Sequence, residues 1–535
     1  MDNSFPEKYK LHLLLFLTVF VYFWNFWLND IWIPNESFYG EAVREMFETR
    51  NFLDIYYNYE PRFNKPPMTY WVIALSVFIF GLSEFAVRLP VVLMALGSSF
   101  LTYKIAITLY NRETAIYSFF TMALSFQFII NSRYASPEVP LVFFFTLTIY
   151  LFIKGYKEKR VLYLYLSYIA LGLTVLTKGF PYYIVIGGIV GLYLLSESGF
   201  DWKRFLRGLV DIKAHVGVAI SVVIGMSWIV YMHVKFGQSF WDVYNQETFE
   251  RALGESSRLS DVFFYPTVIL WGFLPYSLMF YYGLFNSFRE FFKKHSLIFS
   301  WFAVMFVIFT VAKGKIPTYF IQAHTPMAIL VGYYLVNHNP DGFKRHLFYA
   351  SLCIPTFLIV SLNIYMVYRF NLDYLFYLFA VFPILYILKF RDLRLAPFVS
   401  ILMMFLIFVV SILPFVERYR PYKEIGQIIE DNLPDRSVPL IVEETFFHNM
   451  PFYAKRRVLR DYSSEMILDY ASKNRFMVAL VSPETLDKIP KKTVLWQGYI
   501  YNSSESRFAV FLNQIKRLRE GKDNRFIRIY LIYKN

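Results

Sequence analysis

Apolar stretches long enough to enter a membrane recur along this chain from residue 11 to residue 413. A helix that crosses a bilayer needs about 20 largely apolar residues. About 14 runs approach that length: 11–28, 69–82, 86–108, 114–131, 137–156, 162–178, 180–196, 214–233, 263–285, 297–312, 321–336, 347–367, 375–390 and 398–413. After residue 413 the pattern changes: apolar runs shorten and charges rise. Tyr422–Leu433 has Ile425, Ile428 and Ile429 on one helical face, which predicts an amphipathic helix. Pro439–Val442, Phe476–Val481, Val494–Tyr501 and Ile527–Tyr533 have the short β-branched and aromatic character of strands. The pattern predicts a mainly α, polytopic membrane domain over 1–413 and a small α/β domain over 414–535. There is no internal repeat, low-complexity tract or long linker.

Charge placement refines the count. The most basic short loops are Lys157–Arg160, Lys203–Arg207, Arg289–Lys294, Lys344–His346 and Lys389–Arg394. Positive loops stay on the cytoplasmic side, and two runs separate each of these from the next. Lys8 and Lys10 put the N-terminus on the same side, with the first span retained rather than cleaved as a signal. The set is consistent only if one early run does not cross. Thr69–Leu82 is the shortest and follows Pro66-Pro67, so it is read as lying at the outer interface. The expectation is about 13 crossings, with the N-terminus inside and the C-terminus outside. Residues 29–85, 234–262 and 414–535 then face outward.

Composition agrees. The chain is 56% hydrophobic, 21% aromatic and only 18% charged, whereas soluble domains carry about 25% charged residues. The net charge of +14 sits in loops between apolar runs, which is a membrane pattern rather than a nucleic-acid footprint. The single Cys353 excludes disulfides and cysteine-based metal sites. No P-loop, Gly-x-Gly-x-x-Gly or His-Glu-x-x-His motif is present.

The first outer loop is the richest in chemistry. Asn35 follows Pro34 as a helix N-cap, and Glu36 and Glu41 suit the positive end of the helix dipole. The stripe Phe38, Ala42 and Met46, with Tyr39, Val43 and Phe47, predicts an amphipathic helix on the membrane. In Arg62-Phe63-Asn64-Lys65-Pro66-Pro67, two cations beside stiff prolines have two readings, a phosphate clamp or contact with lipid head groups. Arg88 is read as anchoring the start of its own span.

These residues resemble a known family. Asn35-Glu36, Arg44-Glu45-Met46, Phe63-Asn64-Lys65-Pro66-Pro67, Tyr70-Trp71 and Ser83-Glu84-Phe85-Ala86-Val87-Arg88-Leu89-Pro90 occur in order. Arg133-Tyr134-Ala135-Ser136-Pro137-Glu138, Leu176-Thr177-Lys178-Gly179 and Lys313-Gly314-Lys315-Ile316-Pro317-Thr318-Tyr319 follow them. The ordered set resembles the GT-C glycosyltransferases of the protein O-mannosyltransferase and aminoarabinose lipid A transferase superfamily, over about residues 10–340. The resemblance implies a GT-C fold with juxtamembrane helices on the periplasmic side. It also implies inverting transfer of a sugar from polyprenyl (undecaprenyl) phosphate to lipid A, other lipopolysaccharide or another envelope acceptor. The partners would be that donor, the acceptor and membrane lipids, with no nucleic acid and the protein a monomer in the bacterial inner membrane.

On this resemblance Lys65, Arg133, Lys178, Lys315, Tyr319, Arg258 and Arg62 are expected to hold the donor phosphate, where cations stabilise the departing charge. Each also has a plainer reading as a span-end anchor, belt aromatic or exposed charge. The catalytic candidates are Asn35, Glu36 and Glu138. The family's usual Asp-Glu pair is Asn35-Glu36 here, and an amide cannot accept a proton. A base, if the acceptor is a hydroxyl, falls to Glu36 or Glu138. An already ionised phosphate acceptor needs mainly positioning. His324 lies near a region where some relatives bind zinc, but a first-loop glutamate is replaced by Asn64, so no metal and no cofactor is expected. The competing readings are a transporter or flippase of lipid-linked sugars and a non-catalytic lipid-binding subunit.

Overall fold

A computed structural model describes residues 7–247, 262–288, 290–445 and 447–534. It is dominated by helices. The first twelve are α1 (Glu7–Phe23), α2 (Asn35–Thr49), α3 (Met68–Phe80), α4 (Glu84–Leu109), α5 (Arg112–Ala123), α6 (Phe126–Asn131), α7 (Glu138–Glu158), α8 (Val161–Lys178), α9 (Pro181–Glu197), α10 (Trp202–Asp211), α11 (Ala214–Phe236) and α12 (Gln238–Asn245). Among the described residues six helices are long and apolar enough to span a bilayer: α4, α7, α8, α11, Gly342–Arg369 and Ala396–Glu417. Shorter apolar helices accompany them, including Tyr9–Phe23 and Ser296–Val311. The chain is a multi-pass membrane protein.

Several apolar runs are broken rather than continuous. Residues 114–131 form α5 and α6, separated at Ser125, whose backbone is extended. The amide of Phe126 leaves the helical ladder and donates to Leu274. The run 263–285 becomes Phe264–Gly272 and Ser277–Ser287, because Pro275 can neither donate to nor fit inside a continuous helix. The run 321–336 begins as the 3-10 turn Pro317–Ala323 before the α-helix His324–Asn337. The basic stretch Lys203–Arg207 lies within a helix, α10, whose N-cap Asp201 accepts from the Arg204 amide at 2.9 Å.

The chain divides into two compact units: Met1–Trp24, Phe63–Thr69 and Pro90–Phe408 in one, and Asn25–Arg62, Tyr70–Leu89 and Val409–Asn535 in the other. In the first unit glycines let α8 and α11 approach closely. A Cβ on Gly172 would lie 2.7 Å from the Ile224 Cβ, and one on Gly225 would lie 2.9 Å from the Val175 Cβ. Small residues at such crossings bring backbones together where lipid gives no hydrophobic drive.

The second unit contains a two-stranded hairpin, β1 (Tyr56–Tyr57) and β2 (Glu60–Pro61), and a five-stranded sheet. The sheet strands are β3 (Leu440–Glu443), β4 (Val458–Tyr462), β5 (Met477–Val481), β6 (Lys492–Tyr501) and β7 (Phe526–Lys534), in the order β4-β3-β5-β7-β6. β3 is parallel to β4 and β5, and β7 is antiparallel to β5 and β6. Every residue of β5 is buried, as a central strand covered on both faces must be. Ile441, Met477, Ala479 and Ile532 pack with Ile467 and Ala471 of the helix Ser464–Lys473.

β4 is an edge strand, and the hairpin closes it. Asn58 sits at φ 56°, a left-handed conformation that asparagine tolerates. Its side chain donates to Val458 O at 2.9 Å and accepts from Val458 N at 2.7 Å. An amide thus stands in for a neighbouring strand at an otherwise open edge. Asn58→Ala is expected to cost about 1–3 kcal/mol, the worth of two hydrogen bonds. Amide exchange at Val458 should accelerate, and an unchanged exchange rate there would show that the edge does not depend on Asn58.

Candidate functional site

The motif residues of the first unit gather around helix ends. Phe63 is buried and packs on Phe236 and Phe240, at ring distances of 5.0 and 5.8 Å. This fixes the segment that carries Lys65, whose ammonium lies 3.4 Å from Glu247, just past α12. α12 also meets the end of α8. Gly179 has φ +115°, and a Cβ there would lie 2.8 Å from the Tyr244 hydroxyl. Glycine is therefore required both for the backbone conformation and for the approach.

Lys178 is the last residue of α8. Its Nζ is 3.2 Å from Oε1 of Glu138, the first residue of α7, and 4.7 Å from the ring centre of Tyr319. The lysine side chain is only 8% exposed, so its charge is held in a fixed place. Glu138 at a helix start and Lys178 at a helix end each suit the local dipole. Tyr319 belongs to the turn Pro317–Ala323. Lys315, just before it, donates to Ala312 O at 2.7 Å. Lys178, Glu138 and Tyr319 are thus one contact group, with Lys315 at the entry to the same turn.

Arg133 is held at the end of α1. Its Nη1 donates to Val21 O at 2.6 Å and its Nη2 to Trp24 O at 2.8 Å. The guanidinium satisfies carbonyls at the C-terminal end of α1, which a helix leaves unpaired. Arg258 lies outside the described residues.

In the second unit Asn35 is the first helical residue of α2, and Pro34 occupies the cap position with no side-chain bond. Asn35 is therefore not a capping residue, and its side chain is exposed. Glu36 is fully buried. Its carboxylate takes Arg88 Nε at 2.8 Å and Nη2 at 2.6 Å, and Oε2 also accepts from the Trp32 amide at 2.8 Å. Arg88 further donates to Phe26 O, Asn29 O and Asp30 O. Arg88 is 1% exposed and anchors the start of α4 by tying it to the loop before α2, rather than by snorkelling to an interface. The sequence did hold a signal, since a charge at the start of an apolar run is a candidate for a specific partner.

α2 is likewise not a surface helix. Glu41, Arg44 and Glu45 are buried along with Tyr39, Ala42, Val43 and Met46, and Phe38 and Phe47 are half-buried. Arg44 forks onto Glu41 at 2.7 and 2.8 Å and reaches Glu48 at 2.6 Å. Burial first, and then Glu41, push Glu45 up to about 9. Arg62 stacks 3.8 Å over the Phe38 ring, and His448 meets the same ring edge-on at 5.6 Å.

A second buried network was not foreseen, because its members are far apart in sequence. Arg420 forks onto Glu505 at 2.8 and 2.9 Å, donates to Asp30 O and Ile31 O, and stacks 3.9 Å over Trp32. Asp30 accepts from the Lys423 amide at 2.9 Å. Burial first, and then Glu417, raise Asp30 to about 8. Its carboxyl thus keeps its proton in the folded protein where the unfolded chain has lost it. That contribution to stability is complete below about pH 4 and is lost as pH rises through about 8. Asp30→Asn is expected to flatten the decline in melting temperature across that window. Parallel profiles for the two proteins would sink the assignment.

Among the described residues no group of three or more His, Cys, Asp or Glu side chains could hold a metal ion. His324 is buried and pairs with the Ser125 hydroxyl at 3.0 Å.

Known proteins resemble this chain in sequence and in fold. A family model described as dolichyl-phosphate-mannose-protein mannosyltransferase matches residues 64–231. An uncharacterised protein of Aquifex aeolicus is 34% identical over 516 residues, covering 96% of this chain and 98% of that one. The undecaprenyl phosphate-alpha-4-amino-4-deoxy-L-arabinose arabinosyl transferase 1 of Proteus mirabilis is 27% identical over 386 residues, covering 69% of this chain and 67% of that one. The crystal structure of ArnT from Cupriavidus metallidurans bound to undecaprenyl phosphate shares the fold, with a TM-score of 0.74, 20% identity and 98% of each chain covered. Fold, ordered motifs and relatives agree: the chain belongs to the GT-C glycosyltransferase superfamily of the aminoarabinose transferases and protein O-mannosyltransferases.

Proposed function

We propose that this protein moves a sugar from undecaprenyl phosphate, by inversion, to lipid A, other lipopolysaccharide or another envelope acceptor at the outer side of the cytoplasmic membrane. The observation that carries this reading is Lys178, a nearly buried cation held between Glu138 and the face of Tyr319. In the reaction the acceptor oxygen forms a bond to the anomeric carbon as the bond to the phosphate oxygen breaks. The electron pair leaves on the lipid phosphate. Preorganised cations placed where that charge develops lower the barrier most. Lys178, Lys65 and Lys315 fill this role, with the Tyr319 hydroxyl as a further donor. Arg258 and Arg62 are further donor-phosphate residues that the family resemblance implies. Arg133, whose guanidinium also holds the end of α1, is a further donor to the phosphate.

Both carboxylate candidates for a base are engaged by cations, Glu36 by Arg88 and Glu138 by Lys178. Neither is well placed to take up a hydroxyl proton, which favours an acceptor that is already ionised, such as a phosphate. Asn35, with its exposed amide, orients acceptor or sugar by hydrogen bonds. On this reading residues 1–413 cross the membrane about 13 times with the N-terminus inside, and residues 414–535 lie outside.

The test is a transfer assay in detergent with undecaprenyl-phosphate sugars and lipid A, followed by mass spectrometry of the acceptor. A product heavier by one sugar is expected. No product from any donor, together with a substrate gradient formed in proteoliposomes, would replace this reading with transport.

A further inference from the structure

Among the described helices of the first unit α10 is unlike the others. None of its ten residues is buried. Its apolar residues Trp202, Phe205, Leu206, Leu209 and Val210 recur at the spacing of one helical face. Trp202, Leu206 and Val210 are 64%, 45% and 59% exposed. The other face carries Lys203, Arg204 and Arg207, all exposed. At ten residues the helix is about 15 Å long, half of what a span requires. It joins the end of α9 to the start of α11, two strongly apolar helices.

A second aromatic and basic element stands beside it. Phe200, 55% exposed, meets the Phe292 ring edge-on at 5.3 Å. Phe292 belongs to the short turn Phe291–Lys294, where Lys293 and Lys294 are exposed. The carboxylates nearby are already engaged or sit at helix ends. Glu197 accepts from the Ser296 hydroxyl at 2.8 Å, Asp201 caps α10, and Asp211 ends it. The rim formed by α10 and Phe291–Lys294 is therefore apolar on one side and positive on the other, and among the described residues none buries Trp202, Leu206 or Val210, or Lys203, Arg204 or Arg207.

We propose that α10 lies in the membrane interface and binds anionic phospholipid. Its Trp202–Leu206–Val210 face enters the acyl boundary, and Lys203, Arg204 and Arg207 pair with lipid phosphates. The charge pattern selects this occupant. A helix buried in the zwitterionic or acyl region alone gains nothing from three cations on its outer face, whereas an anionic leaflet attracts each one. Each cation near such a surface is worth about a fivefold preference, so the three together favour anionic lipid by about a hundredfold. α10 would then fix the depth of α9 and α11, and hence of Lys178–Gly179 at the far end of α8, in a lipid-dependent way. The proposal stands whether or not the sugar-transfer reading does.

The test uses the full chain in nanodiscs, with Cys353→Ser and Leu206→Cys carrying an environment-sensitive fluorophore. Discs contain either phosphatidylcholine alone or phosphatidylcholine with one-third phosphatidylglycerol. The expected result is a blue-shifted emission in the anionic discs that returns toward the aqueous value with added salt. The triple variant Lys203→Glu, Arg204→Glu and Arg207→Glu is expected to lose the difference between the discs. Equal emission in both lipids before any charge is altered would overturn the anionic preference, and that comparison holds even if the triple variant does not fold. Aqueous emission in both discs would overturn membrane docking altogether and leave the face to a protein partner.

Discussion

Lys178→Met is expected to lower sugar transfer by about a hundred- to a thousandfold, the usual loss when one preorganised donor to a developing oxyanion is removed. The side chain lies between the Glu138 carboxylate and the Tyr319 ring, so methionine keeps the apolar contact and removes only the charge. The single change also leaves Glu138 without its cation, which carries a cost in stability of its own. The pair Glu138→Gln with Lys178→Met separates the two effects. It is expected to recover the melting temperature of the parent and to remain as inactive as the single variant. Recovery of transfer in the pair would show that Lys178 serves only to neutralise Glu138, and the phosphate role would fall.

The largest loss of stability is expected at Arg88. Arg88→Met removes a fork onto the fully buried Glu36 and three bonds to backbone carbonyls. Breaking a buried pair by removing one partner costs about 3–5 kcal/mol, because the other charge stays in a dry site. Arg88→Lys should rescue little, since an ammonium cannot reproduce the planar fork and the carbonyl bonds together. Adding Glu36→Gln to Arg88→Met should restore part of the stability. Thermal unfolding in detergent checks all three. A loss at Arg88→Met within the range of an ordinary surface change, about 0.5 kcal/mol, would show that the network is not what holds the start of α4.

Much of the secondary structure was legible because the sequence periods are physical. The helix Tyr422–Asn432 and the strands Met477–Val481 and Phe526–Lys534 lie within two residues of where their apolar spacing put them. The strand Val458–Tyr462 was not legible. It lies at an edge, its residues Arg460 and Asp461 are exposed, and its pairing comes from β3 and from Asn58. The helix breaks at Ser125 and Pro275 were also missed, because hydropathy averages over a residue whose effect is on the backbone. In the candidate site, the motif Leu-Thr-Lys-Gly pointed to Lys178 but not to its partners. Arg133 looked the same as Lys178 in sequence, as a cation at a span end.

By itself the sequence determined that the chain is a multi-pass membrane protein of the GT-C superfamily. Apolar run length, loop charge and ordered motifs are local or one-dimensional quantities. Only the tertiary structure decided which cations tie parts of the fold together and which stand beside a carboxylate and an aromatic face. Arg133 and Arg88 end on backbone carbonyls or a buried carboxylate, while Lys178 ends between Glu138 and Tyr319. The reason is that a charge in a low-dielectric interior must find a partner. That partner is chosen by the approach of helix ends 40 to more than 100 residues apart, which no local pattern records.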